Sequence, residues 1–202
     1  MKYLFTCGGT AGHINPALGV AKRIHELQPD AEFLFVGATG NMETELVPRE
    51  GFDFKSITIT NLHRGYKLED MIHNAKTLKN IVSSLAESRR ILKEFQPNIA
   101  VGTGGYVCYP VLRAASALGI PTAVHEANAV PGLTTRQLSG IVDRIMVSFE
   151  QSRDAYKEKE KVVVTGTPVR MEFDPDADAM EAKRALGLPT DKPLVLSVWL
   201  FI

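Results

Sequence analysis

Three runs of residues have the types and spacing to do chemistry. The first is Gly8-Gly9-Thr10-Ala11-Gly12-His13-Ile14-Asn15-Pro16. Its glycines let the backbone turn tightly and approach a ligand closely. A helix starting behind them offers free N–H groups and a positive dipole end, which suit a phosphate or a developing anion. Histidine titrates near ~6.5 in water, so His13 at the mouth of this turn is a candidate general base. A plain strand-to-helix turn explains the glycines but not the imidazole. Two phosphate-binding patterns do not fit. There is no G-x-x-x-x-G-K-[ST] run, and the glycines are not spaced G-x-G-x-x-G. The second strand ends in Val36-Gly37, without the acid that would hold a dinucleotide ribose.

The second run is Gly102-Thr103-Gly104-Gly105-Tyr106-Val107-Cys108-Tyr109-Pro110, read as a close-approach platform at a helix start or as a turn with a packing Tyr. The third is His125-Glu126-Ala127-Asn128-Ala129-Val130-Pro131-Gly132-Leu133-Thr134, which supplies a base, a charge and an amide within four residues. Each taken singly would read as a satisfied structural group. A shorter segment, Gly166-Thr167-Pro168-Val169-Arg170, puts a guanidinium where it could pair with phosphate or carboxylate, or lie solvated on a hinge. Asp174-Pro175-Asp176-Ala177-Asp178 has the D-x-D spacing that can hold a divalent metal. It precedes a helix, so capping and the helix dipole account for it, and no metal site is read there.

These runs converge only if strands deliver them to one edge. Seven segments are strand-like: Tyr3–Cys7, Glu32–Val36, Phe54–Ile59, Ile99–Gly102, Thr122–His125, Arg144–Val147 and Lys161–Thr165. Several are apolar almost throughout, as for parallel strands covered on both faces. Helical patterns lie between them. One opens at Asn15-Pro16 and runs to about Leu27; one is capped by Asn41 and ends near Gly51. A long one, Leu68–Phe95, carries a stripe of Leu68, Met71, Ile72, Ala75, Leu78, Val82, Leu85 and Leu92. Others fit Val107–Leu118, Leu133–Ser139 and Gln151–Tyr156. The alternation predicts an α/β fold with a doubly wound parallel sheet, whose ligands bind beyond the carboxyl ends of the strands. Residues 1–170 form this domain. Met171–Asp178 reads as a linker, Ala179–Leu186 as a short helix, and Pro193–Ile202 as a strand opening a second α/β domain.

Composition sets the outer limits. The 202 residues are long for one domain and short for two. Apolar residues make up 45% and charged residues 23%, an ordinary globular balance. Zero net charge argues against a nucleic-acid coat protein. Cys7 and Cys108 read as reduced thiols in a cytosolic protein. No apolar run is long enough for a signal peptide or a membrane span.

Together the loops resemble the MurG family of bacterial transferases. The residues that carry the resemblance are Gly8-Gly9-Thr10-Ala11-Gly12-His13 with Asn15-Pro16, Met42-Glu43-Thr44-Glu45-Leu46-Val47-Pro48, and Gly104-Gly105-Tyr106-Val107 with Pro110. His125-Glu126-Ala127-Asn128 with Gly132-Leu133, and Gly166-Thr167-Pro168-Val169-Arg170, complete the set, which spans about residues 3–170. Ala127, Cys108 and Thr135 stand where the family often has Gln, Ser and Asn. The family has two Rossmann-like domains of the GT-B type, the second opening on a strand and a Gly-Ser-x-Gly-Ala loop. Here the corresponding strand runs into Leu200-Phe201-Ile202, so the chain reads as the N-terminal acceptor half, truncated before the donor domain.

The resemblance implies an inverting, metal-independent transfer of N-acetylglucosamine from UDP-N-acetylglucosamine. The acceptor is the C4 hydroxyl of N-acetylmuramic acid in undecaprenyl-linked lipid I, and the product is lipid II for peptidoglycan. It implies no cofactor. His13 becomes the candidate base, with His125 and Glu126 as further catalytic or positioning groups. Thr10, Ala11, Gly12, Asn128 and Arg170 become donor contacts, and Gly104, Gly105 and Tyr106 acceptor contacts. A lipid acceptor implies a peripheral place on the cytoplasmic face of the membrane. Residues 61–96 hold seven Lys/Arg against four Asp/Glu. Lys76, Lys79 and Ile81, with Ile91, are the residues expected to dock there. By itself this half is expected to be inactive. A non-catalytic acceptor-binding half that pairs with a separate donor chain, or another lipid glycosyltransferase of the same fold, are the other readings.

Overall fold

A computed structural model describes residues 1–59, 68–169 and 176–195, excluding the side chains of 68–79 and 81. The chain divides into two compact units, residues 1–170 and 171–202.

The first unit is built on seven strands: β1 (Lys2–Thr6), β2 (Glu32–Ala38), β3 (Asp53–Ile57), β4 (Ile99–Gly102), β5 (Thr122–Glu126), β6 (Arg144–Val147) and β7 (Val162–Val164). All pair in parallel, in the order β3-β2-β1-β4-β5-β6-β7. This is the doubly wound α/β sheet that the alternating pattern predicts. Successive residues of β1 feed opposite faces. Tyr3 and Phe5 join one apolar cluster, where they stack on their register partners Phe33 and Phe35 at 5.6 and 5.2 Å. Leu4 joins the other cluster, with Leu34, Ala100, Val124 and Ile145.

Helices α1 (Ala11–Leu27) and α2 (Glu43–Arg49) cover the first face, through Ile14, Leu18, Ala21 and Val47. Helices α3 (Leu68–Phe95), α4 (Cys108–Ala117) and α5 (Leu133–Ser139) cover the second, through Ile91, Leu92, Val111, Leu112 and Leu138.

Several local expectations change. Helix α1 begins at Ala11, not at Asn15-Pro16: Thr10 is its extended N-cap, and the amides of His13 and Ile14 donate to the Thr10 carbonyl at 3.0 and 3.2 Å. Pro16 therefore sits inside the helix, and His13 lies in its first turn. Asn41 is not the cap of α2: the N-cap position falls at Met42, which makes no side-chain cap bond, and the Asn41 amide nitrogen donates instead to Tyr106. Residues 150–155 form a 3₁₀ turn where a helix is expected.

On α3 the apolar stripe is buried at Leu92 and half-buried at Leu85, but not at Val82. Val82 is 70% exposed, whereas Ile91, expected to face a membrane, is 3% exposed in the core. Ser84 and Ser88, one turn apart, are also buried there. Small side chains at that spacing let α3 pack closely along α4. Lys76, Lys79 and Ile81 fall outside the described side chains.

In the second unit, α6 (Ala179–Ala185) is capped by Asp178, whose Oδ1 accepts from the amides of Met180 and Glu181 at 2.7 and 3.4 Å. That is the capping role read for the acidic run. Pro193–Val195 form no regular element, and the rest of the expected terminal strand lies outside the described residues.

The different burial of Val82 and Ile91 makes a direct prediction. Ile91→Ala should cost about 2–5 kcal/mol of stability, as for other buried aliphatic truncations. Val82→Ala should stay within about 0.5 kcal/mol. Urea denaturation of both variants distinguishes them; equal costs would place Ile91 outside the core.

Candidate active site

Strand order reverses at the β1/β4 boundary, since β1 leads by way of α1 to β2 and β4 leads by way of α4 to β5 on the other side. A crevice opens at such a point because the two departing turns diverge. Here the glycine turns after β1 and β4 stand back to back. The Gly8 amide donates to the Gly104 carbonyl at 3.3 Å. A Cβ on Gly105 would overlap the Gly8 carbonyl, and one on Gly104 would overlap the His13 ring. Both glycines also hold positive φ, 122° and 90°. The contact between the turns requires their hydrogen side chains.

His13 Nδ1 lies 3.0 Å from the Gly8 carbonyl and 3.3 Å from Thr10 Oγ1. A carbonyl can only accept, so Nδ1 carries a hydrogen, and in the neutral ring Nε2 is the nitrogen with the lone pair. Thr103 Oγ1 donates to the His13 carbonyl at 2.6 Å, tying the first turn of α1 to the end of β4. Thr10, Ala11 and Gly12 are exposed, and no acidic side chain sits in that turn. The positive dipole end of α1 thus lies at an exposed turn with no acidic side chain of its own. Tyr106, half-buried beside them, receives a hydrogen bond on its hydroxyl from Asn41 Nδ2 at 2.8 Å. Its own O–H is left to donate.

The run after β5 is organised differently. Glu126 is buried, and its two oxygens accept from the Asn128 amide (2.9 Å), Asn128 Nδ2 (2.8 Å) and the Gly132 amide (2.9 Å). Ser152 Oγ bonds the carbonyls of Asn128 and Ala129 at 3.3 and 3.0 Å. His125 is 1% exposed; its Nε2 donates to the Gly166 carbonyl at 3.0 Å, with Ser148 Oγ at 3.5 Å. Burial holds its imidazole below the ordinary histidine value, against the opposite pull of the Gly166 carbonyl and Glu126. Burial, then the nearby Glu126, raises the Tyr156 phenol well above its usual range.

Residues 3–147 match the model of the glycosyltransferase family 28 N-terminal domain. The chain belongs to that family. It is 48% identical over 198 residues to a curated relative from Thermoanaerobacter sp. strain X514 and 45% identical over 196 residues to one from Acetivibrio thermocellus. Both carry the name UDP-N-acetylglucosamine--N-acetylmuramyl-(pentapeptide) pyrophosphoryl-undecaprenol N-acetylglucosamine transferase. These alignments cover 98% and 97% of this chain but 53% and 52% of the relatives. The chain spans about half the length of the curated relatives it matches. Among solved structures it is similar to Acinetobacter baumannii MurG, with TM-score 0.70 and 26% identity over 96% of this chain and 50% of that one. It also shares its fold with the UDP-GlcNAc 2-epimerase of Methanocaldococcus jannaschii, with TM-score 0.59 and 15% identity over 83% of this chain and 46% of that one.

In this family 28 domain, the residues named from sequence separate into two groups. Thr10, Ala11, Gly12, His13, Gly104, Gly105 and Tyr106 come together around the β1/β4 crevice. His125, Glu126 and Asn128 belong to the next loop along the same edge. There His125 and Glu126 are buried braces rather than groups presented to a ligand, while Asn128 is exposed. Arg170 lies outside the described residues. Burial raises the Cys7 thiol well above its usual value and pushes Cys108 up to about 12, so neither supplies a thiolate nucleophile. The sequence assigns Asn41 only a helix cap and gives Glu43, Thr103 and Ser152 no role of their own, although Glu43 lies in the Met42–Pro48 run and Thr103 in the Gly102–Pro110 run.

His125 sets a pH dependence. In the unfolded chain it takes a proton near the ordinary histidine value; in the folded chain burial delays this. The unfolded state therefore binds more protons, and stability falls as pH drops below about 6.5. The fall levels off only once folded His125 itself protonates. His125→Gln should flatten this part of the curve. Thermal melts between about pH 7 and about pH 5 test it, and an unchanged slope in the variant would assign it to other groups.

Proposed function

We propose that residues 1–170 form the acceptor half of an N-acetylglucosamine transferase, acting on the substrates that the relatives' name states. UDP-N-acetylglucosamine is the donor and the undecaprenyl-linked muramyl pentapeptide, lipid I, is the acceptor. The observation that carries this reading is His13. Its Nδ1–H is held by the Gly8 carbonyl, which leaves Nε2 as a bare acceptor at the mouth of the crevice. In that role Nε2 takes the proton from the acceptor hydroxyl as its oxygen attacks the anomeric carbon and UDP leaves. The amides of Thr10, Ala11 and Gly12 stabilise negative charge on phosphate oxygens. Tyr106 orients the acceptor through its free O–H, with Gly104 and Gly105 allowing close approach. Asn128 and Arg170 are donor contacts in this reading. Residues 171–202 begin the donor-binding domain, and the half alone lacks the groups that stabilise the leaving UDP.

The lipid acceptor places the domain peripherally on the inner face of the membrane. Support comes from an open groove of about 560 Å³ on α3, lined by Val82, Leu85, Ala86, Arg89, Arg90 and Lys93. It joins exposed apolar surface to three cations. No helix among the described residues is long and apolar enough to cross a membrane.

A chimera of residues 1–170 with the remaining half of the Thermoanaerobacter relative tests the activity. It should transfer N-acetylglucosamine to a short-chain lipid I. His13→Ala should lower kcat by about 10²–10⁴-fold with little change in KM. A folded chimera without transfer, or a His13→Ala variant with normal turnover, would sink the reading. Arg89→Ala with Arg90→Ala should weaken cosedimentation with phosphatidylglycerol vesicles by about tenfold or more, at about 1 kcal/mol per cation. Unchanged cosedimentation would move the membrane contact off α3.

A further inference from the structure

Glu43 opens α2, yet it is 0% exposed. A glutamate at a helix start usually lies in solvent, where it answers the dipole without being buried. This one is folded inward, and both its oxygens are used on loop amides. Oε1 accepts from the Ala38 amide at 3.0 Å, and Oε2 accepts from the Gly9 amide at 3.1 Å. The second bond has a consequence at the active site. The Gly9 N–H and the Gly8 C=O belong to one planar peptide unit. Its N–H donates to Glu43, while its C=O accepts from His13 Nδ1 at 3.0 Å. The two bonds lie at opposite ends of the unit and polarise it in the same sense. An acceptor on the N–H enriches the carbonyl oxygen, which then holds the Nδ1 hydrogen more firmly.

We propose that Glu43 is a positioning residue for His13, acting through the Gly8–Gly9 peptide: carboxyl, peptide and imidazole form one hydrogen-bonded relay that fixes which ring nitrogen is bare. It rests on the reading of His13 as the base. A metal-bound or catalytic histidine is commonly fixed by a carboxylate or carbonyl on its other nitrogen. Here a carbonyl does so, with a carboxyl behind it.

The surroundings fit this task. A Cβ on Gly8 would overlap Glu43 Oε1, one on Gly37 would overlap Glu43 Cγ, and one on Gly105 would overlap the Gly8 carbonyl. Space around the relay is thus kept clear from three strands, β1, β2 and β4. Glu43 also joins the β1 turn to the end of β2 by way of Ala38, so the turn that carries His13 cannot shift without breaking its bond to a buried carboxyl group.

The test is Glu43→Gln in the 202-residue chain. An amide has one oxygen, so its NH₂ must face either the Gly9 or the Ala38 N–H, donor against donor. The readout is the imidazole ¹⁵N spectrum of His13 at about pH 8, above the ordinary histidine value. The unaltered chain should show the Nδ1–H tautomer, and the variant should show a mixture with Nε2–H. Exchange of the Gly9 amide should quicken by about tenfold or more, while the strand amides of Phe5 and Phe35 keep their protection. A folded variant with an unchanged His13 tautomer overturns the proposal. So does an unaltered chain whose Gly9 amide exchanges as fast as an unstructured peptide, a result that needs no variant to fold. Neither readout depends on turnover, so an inactive chimera removes the base reading while the tautomer still decides what Glu43 does.

Discussion

The carboxyl edge of this sheet is arranged around a single peptide unit, Gly8–Gly9. Strand order reverses beside it, so the turns after β1 and β4 must pass each other at contact distance. Side chains cannot occupy that gap. What fills it is backbone: the Gly8 amide on the Gly104 carbonyl, the Gly8 carbonyl on His13, the Gly9 amide on Glu43. Backbone polar groups need partners, and here they find them in the Gly104 carbonyl, the His13 ring and the Glu43 carboxyl group. Satisfying the turn and orienting the imidazole are one physical requirement.

Two buried glutamates use the same device along this edge, one behind β2 and one at the end of β5. Glu43 gathers amides from the ends of β1 and β2; Glu126 gathers those of Asn128 and Gly132 from its own loop. A carboxyl group has two oxygens with several lone pairs, so it can collect loop amides that have no ladder to join. Bonds of this kind are stronger than neutral ones when the acceptor is ionised. These bonds tie down the irregular loops of the edge. Asn41 extends the pattern by holding the Tyr106 hydroxyl across 65 residues of sequence.

Legibility from sequence followed the range of the interaction. Strands read well because their apolar runs are local and continuous, and β4 and β6 have the limits their residues predict. Helix α1 was placed late because Asn15-Pro16 is a strong local start signal, whereas Thr10 becomes the cap only when the preceding turn is pinned by Gly104. On α3, apolar spacing pointed to Val82 and away from Ile91. The fold reverses this: Ile91 is buried in the core and Val82 is exposed. His125 and Glu126 looked like ligand groups because acid, base and amide fall within four residues. Their partners, Gly166 and Gly132, show that they brace loops.

The sequence alone determined the fold class, the seven strands, the three loops and the family, because each rests on residues close in the chain. It also placed a histidine after a glycine turn. The tertiary structure decided which of the candidate residues face the crevice, which nitrogen of His13 is bare, and that Glu43 stands behind it. Those depend on a carbonyl, an amide and a carboxyl brought together from different strands. Hydrogen bonds are directional and short, so no spacing along one chain can specify them.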